Sequence, residues 1–251
     1  MILTNGGRRI ATATGAMLAD PDSLGNLGGD AQETLFDPEF WRARGELITV
    51  IGGRGSAWFI ASGARQWVLR HFRRGGFIAR LSQDDYVWTG ENGVRAFAEW
   101  RLLELLARRG LPVPQPVAAR YQRAGLRYSC DLITQRIVDA EPLSAVLTRS
   151  RLPEPLWRSV GATIAQLHGA GADHADLNAH NILLGAKGAV SVIDFDRGRL
   201  RARGAWRAGN LRRLRRSLAK ISHDLPADRY SDEIWGWLMA GYKTAAGGET
   251  K

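Results

Sequence analysis

Apolar and polar positions follow two different periods along this chain, and the change of period predicts its secondary structure. Short runs of β-branched and aromatic residues, bounded by glycine or proline turns, predict strands. These runs cover residues 47–51, 57–61, 66–72, 117–121 and 128–135. Between the third and fourth runs, apolar residues spaced by three, four and seven predict a helix over 94–109, ended by Gly110 and Pro112. The first half is therefore expected to form an antiparallel sheet with one helix.

The second half of the chain has a helical pattern that contains a short hairpin. The predicted helices cover 142–149 and 155–167, and the predicted strands cover 182–184 and 190–193. Only 55 residues follow Asp196, and this number is too small for a large helical substrate lobe. We therefore expect the second half to be mainly helical and short.

These patterns together predict an α+β fold of two lobes. Residues 1–35 are rich in Gly, Ala, Asp and Asn and have no regular period, so we expect a loose N-terminal arm. The sheet and its helix would form an N-lobe over 36–137. The helical part would form a shortened C-lobe over 138–251.

A polar loop and the hairpin after it carry the chemistry that the sequence offers. Asp176 and Asn181 are five residues apart in the loop, His174 precedes them, and Asp194 ends the second strand of the hairpin. Phosphoryl transfer uses such a set. One carboxylate accepts the proton of the attacking hydroxyl, while an amide and a second carboxylate hold Mg²⁺ on the phosphates of ATP.

The spacing of these residues resembles that of the protein-kinase-like superfamily, whose catalytic loop reads H-R-D-x-x-x-x-N and whose metal loop reads D-F-G. This resemblance implies that Asp176 is the catalytic base and that Asn181 and Asp194 bind Mg²⁺. His174 belongs to the same catalytic set, and we expect it to hold the loop backbone rather than to transfer a proton. The chain departs from the pattern at Asn178, where many protein kinases have a cation, and in reading D-F-D.

The predicted N-lobe contains a glycine turn that suits nucleotide phosphates. Gly53, Gly55 and Ser56 follow the first predicted sheet strand, and glycine allows backbone N–H groups to approach a phosphate closely. Glycine hairpins are common, so the position of this turn upstream of the catalytic loop is what favours a role in cofactor binding.

A cation on the third strand is also expected to contact the nucleotide. Kinases place a lysine there, and this chain has Arg70. Two glutamates of the following helix compete as its partner. Glu99 lies on the apolar face of the helix, whereas Glu104 shares its face with arginines, so we predict Glu99.

The net charge of +10 is concentrated in one segment. Residues 197–220 contain ten basic residues and no acidic residue, and the rest of the chain has 25 of each sign. This basic segment is typical of a protein with an anionic partner, of a solvated basic helix, or of a nucleic-acid-binding protein. No nucleic-acid recognition motif accompanies the charge, so we expect no nucleic-acid partner.

Three further features bear on location. The single cysteine, Cys130, excludes an internal disulfide. No apolar run reaches about 18 residues, so we expect no transmembrane helix. The first residues lack the apolar stretch of a secretory signal, so we expect a cytosolic position.

Several longer segments together resemble the kinases of 3-deoxy-D-manno-octulosonic acid (Kdo), a family of lipopolysaccharide core kinases. The segments lie between about Phe36 and Ile221 and read GRGSAWFI, VLRHFRRGG, EWRLL, GLPVPQPVAAR, HADLNAHNILL, VIDFDRGR and NLRRLRRSL. In that family an arginine at the position of Arg70 and the sequence D-F-D are ordinary.

This resemblance implies that ATP and Mg²⁺ are the cofactors and that phosphate is transferred to the 4-hydroxyl of Kdo on a Kdo–lipid A precursor. It also implies a peripheral position on the cytoplasmic side of the bacterial inner membrane, where the basic segment would meet an anionic surface. No protein substrate is expected, because the A-P-E motif is missing. Another small-molecule or core-heptose kinase, and a membrane-bound pseudokinase scaffold, remain alternatives.

Overall fold

The sheet expected in the first half of the chain is present in the computed structural model, which describes residues 7–24, 34–51, 57–73, 85–226 and 228–247. The chain divides into two units. The first comprises the described residues of Met1–Glu104 and Gln115–Arg136, and the second comprises those of Leu105–Pro114 and Ile137–Lys251.

Within the described residues of the first unit, eight antiparallel strands form one sheet. In chain order they are β1 Arg8–Thr12, β2 Gly15–Ala19, β3 Leu47–Ile51, β4 Ala57–Ser62, β5 Arg65–His71, β6 Tyr86–Val87, β7 Pro116–Ala124 and β8 Arg127–Gln135. Their order across the sheet is β1-β2-β7-β8-β5-β4-β3, and β6 pairs with β8. The five strands predicted from the sequence are confirmed as β3, β4, β5, β7 and β8.

The long helix predicted for this unit is also present. Two short helices, α1 Pro21–Leu24 and α2 Pro38–Ala43, precede the long helix α3 Arg95–Arg108. Asp37 caps α2, because its carboxylate accepts a hydrogen bond of 2.9 Å from the backbone N–H of Glu39.

Alternation along the central strands separates a core face from a second face of the sheet. Ile60 of β4 and Trp67 and Leu69 of β5 are almost completely buried. They belong to one hydrophobic cluster with Trp41 of α2, whose ring packs edge-on to that of Trp67 at 6.0 Å between centroids. Because successive side chains of a strand point to opposite faces, Arg70 lies on the other face of β5.

The prediction of a loose N-terminal arm is wrong for residues 8–19. β1 and β2 form a hairpin, and β2 pairs with β7 along its whole length. The residues Ala16–Ala19 are each 2% exposed or less. A strand that is covered on both faces has a continuous apolar run, so the alternation that identifies other strands is absent here. The remaining parts of the predicted arm, 1–6 and 25–33, lie outside the described residues.

Helices make up most of the second unit. They are α4 Leu143–Arg149, α5 Glu154–Gly169, α6 Trp206–Ile221 and α7 Asp232–Gly247. The short strands between them are β9 Glu141–Pro142, β10 Ala172–Asp173, β11 Ile182–Leu184, β12 Val190–Val192 and β13 Arg199–Leu200. β11 pairs with β9 and β12, and β10 pairs with β13. An antiparallel sheet in one unit and a mainly helical second unit confirm the predicted α+β class.

Two glycines allow α5 and α7 to pack backbone against backbone. A Cβ atom at Gly161 would lie 1.9 Å from the carbonyl oxygen of Leu238, and one at Gly241 would lie 2.1 Å from that of Arg158. A larger residue at either position would force the helices apart. In the part of the chain that the structure describes, no helix is both long and apolar enough to cross a membrane.

Candidate active site

The hairpin of β11 and β12 brings together residues that are distant in sequence. Ile182 pairs with Val192, and beyond this pair the backbone N–H of Ile193 donates to the carbonyl of Asn181 at 2.9 Å. Asn181 ends the polar loop that follows β10, and Asp194 is the next residue after Ile193. The two predicted metal ligands therefore leave the same end of one hairpin.

His174 connects the loop to the strand that carries Asp194. Its Nδ1 accepts a hydrogen bond from the backbone N–H of Asp176 at 3.1 Å, so its Nε2 is the donor to the carbonyl of Ile193 at 2.9 Å. The ring is 3% exposed and packs against Phe195 at 4.7 Å between centroids.

Both ring nitrogens of His174 are thus occupied by the backbone. Burial lowers the pKa of His174 below its ordinary value, which keeps the ring neutral. These contacts agree with the expectation that His174 holds the loop backbone rather than transferring a proton.

The side chain of Asn178 forms hydrogen bonds with both Asp176 and Asn181. Its amide nitrogen donates to the Oδ2 of Asp176 at 3.1 Å and to the backbone carbonyl of Asp176 at 3.0 Å. Its amide oxygen accepts from the backbone N–H groups of His180 at 2.8 Å and Asn181 at 3.2 Å. The sequence showed only that a cation is missing here, whereas the structure places a neutral donor on the predicted base.

Asn181 and Asp194 present oxygen ligands of the type that Mg²⁺ prefers. The amide nitrogen of Asn181 donates to the carbonyl of Asp176 at 3.0 Å, which leaves the amide oxygen as the atom suited to a metal. Asp194 has a φ of +63°, in the left-handed region that residues other than glycine rarely adopt. Such conformations concentrate at functional sites. The donor set therefore fits a magnesium ion.

In the first unit, Arg70 forms an ion pair with Glu99, as predicted. The Nη2 of Arg70 donates to the Oε2 of Glu99, and the guanidinium stacks on Phe72 at 4.6 Å from the ring centroid. Glu99 is 2% exposed, whereas Glu104 is half-buried. The role of Arg70 and Glu99 in cofactor binding stays a prediction.

The predicted glycine turn cannot be compared with the structure. Gly53, Gly55 and Ser56 lie outside the described residues.

Helix α6 supports the catalytic loop, which the sequence did not indicate. The amide oxygen of Asn210 accepts from the backbone N–H of His174 at 3.2 Å, and its nitrogen donates to Asp173 at 3.0 Å. The hydroxyl of Ser217 accepts from the N–H of Ala179 at 3.2 Å. The helix at the centre of the basic segment is therefore also the support of the loop.

Asp173 anchors this support through its charge. Burial raises the pKa of Asp173, but hydrogen bonds from Asn210 and Arg201 outweigh burial and lower the pKa overall. Arg201 lies 3.2 Å and Arg199 3.7 Å from its Oδ2, so two arginines of the basic segment serve the fold.

Comparisons with known proteins identify relatives of this chain. A protein of Stenotrophomonas maltophilia (strain K279a) named 3-deoxy-D-manno-octulosonic acid kinase is 45% identical over 210 residues, 82% of this chain and 81% of that protein. Proteins of the same name from Xanthomonas axonopodis pv. citri and Vibrio parahaemolyticus are 45% and 40% identical, and the alignments cover 93% and 76% of this chain and 91% and 80% of those proteins.

A solved structure and a family model complete the comparison. The Cydia pomonella granulovirus kinase matches with a TM-score of 0.42 and 15% identity over 64% of this chain and 56% of that chain, a likeness too low to add to the assignment. The model of the lipopolysaccharide kinase (Kdo/WaaP) family matches residues 38–242. With this match and the relatives at 40–45% identity over most of its length, the chain belongs to the lipopolysaccharide kinase (Kdo/WaaP) family.

Proposed function

We propose that this kinase transfers the γ-phosphoryl group of ATP to the 4-hydroxyl of the Kdo residue of a Kdo–lipid A precursor. The observation that carries the proposal is the 45% identity, over most of both chains, to relatives named for this activity. The hydrogen-bonded arrangement of Asp176, Asn178 and Asn181 supports it, because a base and a metal ligand are held in one loop.

Asp176 is the proposed base for this transfer. Its carboxylate would take the proton of the sugar hydroxyl as that oxygen forms a bond to the γ-phosphorus and the bond to ADP breaks. The amide of Asn178 holds Oδ2, which fixes the direction of the carboxylate.

Asn181 and Asp194 are the proposed ligands of Mg²⁺. When bound, this ion would neutralise charge on the phosphate oxygens of ATP. The backbone of both residues is held at one end of the β11–β12 hairpin.

Arg70 is the proposed contact to the nucleotide in the first unit, with Glu99 fixing its guanidinium. The planar, always charged guanidinium suits phosphate oxygens. The backbone of the turn containing Gly53, Gly55 and Ser56 is proposed to bind the same group.

We propose peripheral attachment to the cytoplasmic side of the inner membrane through exposed cations of the basic segment. Four of its arginines have partners: Arg199, Arg201, Arg207 and Arg215. Five of its cations are exposed and lack an ion pair within the described residues: Arg197, Arg203, Arg212, Arg216 and Lys220. An anionic surface attracts each nearby cation by about 1 kcal/mol.

Mass spectrometry of the acceptor tests the activity. Purified protein, ATP and Mg²⁺ should add one phosphate, localised to Kdo, to a Kdo–lipid A precursor. Transfer only to a heptose-bearing core acceptor would support the proposed kinase activity and contradict the proposed Kdo acceptor. Binding of ATP without transfer to either acceptor would make a membrane-bound scaffold the better interpretation.

Vesicle sedimentation tests the membrane surface. Replacing Arg212 and Arg216 by Gln should weaken association with phosphatidylglycerol-containing vesicles by about tenfold. Replacing Arg8 and Arg151, which are exposed outside the basic segment, makes the matched control. Equal sedimentation of the two double variants would contradict this surface.

A further inference from the structure

One arginine of α6 lies on the face of the helix that contacts the catalytic loop. Asn210 and Ser217 of this helix bind the backbone N–H groups of His174 and Ala179. Arg213 follows Asn210 by three residues and precedes Ser217 by four, so the three share one helical face.

The position of Arg213 along this face matches the middle of the loop. From position 210 to position 217 the helix rises about 10 Å, at about 1.5 Å per residue. The loop runs beside it in the same direction, from His174 near Asn210 to Ala179 near Ser217. Arg213 therefore lies level with the part of the loop that contains Asp176.

Arg213 is half-buried, and the structure gives its charge no partner. Within the described residues, Nη1 of Arg213 is buried and has no hydrogen-bond partner. The neighbouring arginines differ, because Arg207 donates to the carbonyl of His168 and Arg215 pairs with Asp232 at 2.8 Å. Arg229 also has buried unpaired nitrogens, but it lies 3.7 Å from Asp228.

An unpaired, partly buried guanidinium lowers the stability of the folded protein. A ligand anion would remove this loss by supplying the missing acceptor. Arginine binds carboxylate and phosphate groups through two parallel hydrogen bonds, and this geometry orients the ligand as well as attracting it.

We infer that Arg213 binds an anionic group of the acceptor, a carboxylate or a phosphate, and thereby holds the acceptor hydroxyl beside Asp176. This inference rests on the proposed function. The proposed acceptor offers both groups: Kdo is an acid whose carboxylate lies in the sugar that receives the phosphate, and lipid A precursors carry phosphates. Arg213 acts as a binding residue, distinct from the exposed cations Arg212 and Arg216, which face solvent.

The test compares Arg213→Met with Arg151→Met, at an exposed arginine outside the basic segment. Steady-state phosphorylation in detergent micelles measures the KM for acceptor and for ATP, and thermal unfolding measures stability. Arg213→Met should raise the acceptor KM by about tenfold or more, because a charge-assisted pair is lost. It should leave the ATP KM unchanged and should not lower the unfolding temperature. Arg151→Met should behave as wild type in micelles.

Modified acceptors identify the anion. If the carboxylate is bound, the KM of wild type should be about tenfold higher for an acceptor with a Kdo carboxamide than for the unmodified acceptor. Arg213→Met should have the same KM for both acceptors. If a phosphate is bound, the dephosphorylated lipid precursor should instead raise the KM of wild type and leave that of Arg213→Met unchanged. An unchanged acceptor KM in Arg213→Met would overturn the inference.

Two controls separate other causes. If Arg213→Met fails to fold, Arg213→Gln is measured in its place, together with the KM of wild type for both modified acceptors. A wild-type KM that neither modification changes would overturn the inference. A wild type that phosphorylates no Kdo acceptor at all would instead refute the proposed function.

Discussion

The Arg70–Glu99 pair and the catalytic loop are two charged regions that are held in place by different means. Arg70 lies on a strand paired on both sides and Glu99 on a long helix, so regular backbone hydrogen bonds place both residues. The loop between β10 and β11 has no such pattern. Single contacts from Asn178, Asn210 and Ser217 hold its backbone.

This difference teaches where each region is sensitive. Many backbone hydrogen bonds position Arg70 and Glu99, so we expect this region to be sensitive mainly to the loss of one of the two charges. The loop depends on a few side-chain contacts, so we expect the loss of one amide to displace the predicted base or the predicted metal ligand.

Removing the loop carboxylate should have the largest effect. Asp176→Ala is expected to lower kcat by about 100-fold or more, as for other positioned bases. Nucleotide binding, measured by calorimetry, and thermal unfolding should be unchanged, because Asp176 is exposed. Asp224→Ala, at a side chain that is 93% exposed, is the control. A variant that kept more than about a tenth of the wild-type kcat would remove Asp176 as the base.

Breaking the pair in the first unit should come next. Glu99→Gln is expected to raise the KM for ATP by about tenfold and to lower the free energy of unfolding by about 1–3 kcal/mol, because Arg70 loses its buried partner. Glu104→Gln on the same helix should change both quantities much less. Kinetics and chemical denaturation measure them, and equal effects from the two variants would contradict the assigned pairing.

Changing the loop amide tests the claim that single contacts matter there. Asn178→Ala should lower kcat by about tenfold with little change in either KM, because Asp176 and Asn181 lose a shared support. Asn178→Asp should lower kcat at least as far, because a carboxylate at this position cannot donate a hydrogen bond to Oδ2 of Asp176. The exposed Asn92→Ala is the control. A wild-type kcat in Asn178→Asp would argue against the contact.

The smallest effect concerns the pH dependence of stability. Burial lowers the pKa of His168 to about 4, and burial also lowers that of His174. Histidine in the unfolded chain titrates near about 6.5. As pH falls from about 6.5 towards the folded-state values, the unfolded chain takes up protons that the folded protein does not, so stability decreases by about 1.4 kcal/mol per pH unit for each histidine.

Chemical denaturation across this pH range measures the slope. His168→Phe should flatten it relative to wild type, whereas His223→Gln, at a side chain that is 84% exposed, should not. Above about pH 6.5 neither histidine should contribute to the slope, because both the folded and unfolded forms are then neutral. A His168→Phe slope as steep as that of wild type would show that acid sensitivity comes from other groups.

Local patterns in the sequence predicted much of the fold and part of the site. The periods of two and of three to four residues identified five strands, α3 and the β11–β12 hairpin. The apolar face of α3 distinguished Glu99 from Glu104, because a glutamate that reaches a buried cation must share that face. The spacing of Asp176, Asn181 and Asp194 predicted a catalytic loop, and the structure places the backbone of Asn181 and Asp194 at one end of the β11–β12 hairpin.

The rest could not be predicted, because it depends on contacts between distant residues. The hairpin of β1 and β2 lacks the alternation of apolar and polar residues, and it becomes recognisable only from the pairing of β2 with β7. The amide of Asn178 meets Asp176 only once the loop has its turn, and a single sequence shows no such turn.

The sequence by itself determined which charged and polar residues the chain carries: the predicted base, the two predicted metal ligands, a strand cation and a segment of ten basic residues. Only the tertiary structure decided which partners they have. It paired Arg199 and Arg201 with Asp173 and made α6 the support of the loop. Within the described residues, it left the buried Nη1 of Arg213 without a hydrogen-bond partner. The physical reason is that ionic and hydrogen-bonding partners are chosen by proximity in space, which sequence spacing specifies only within one element.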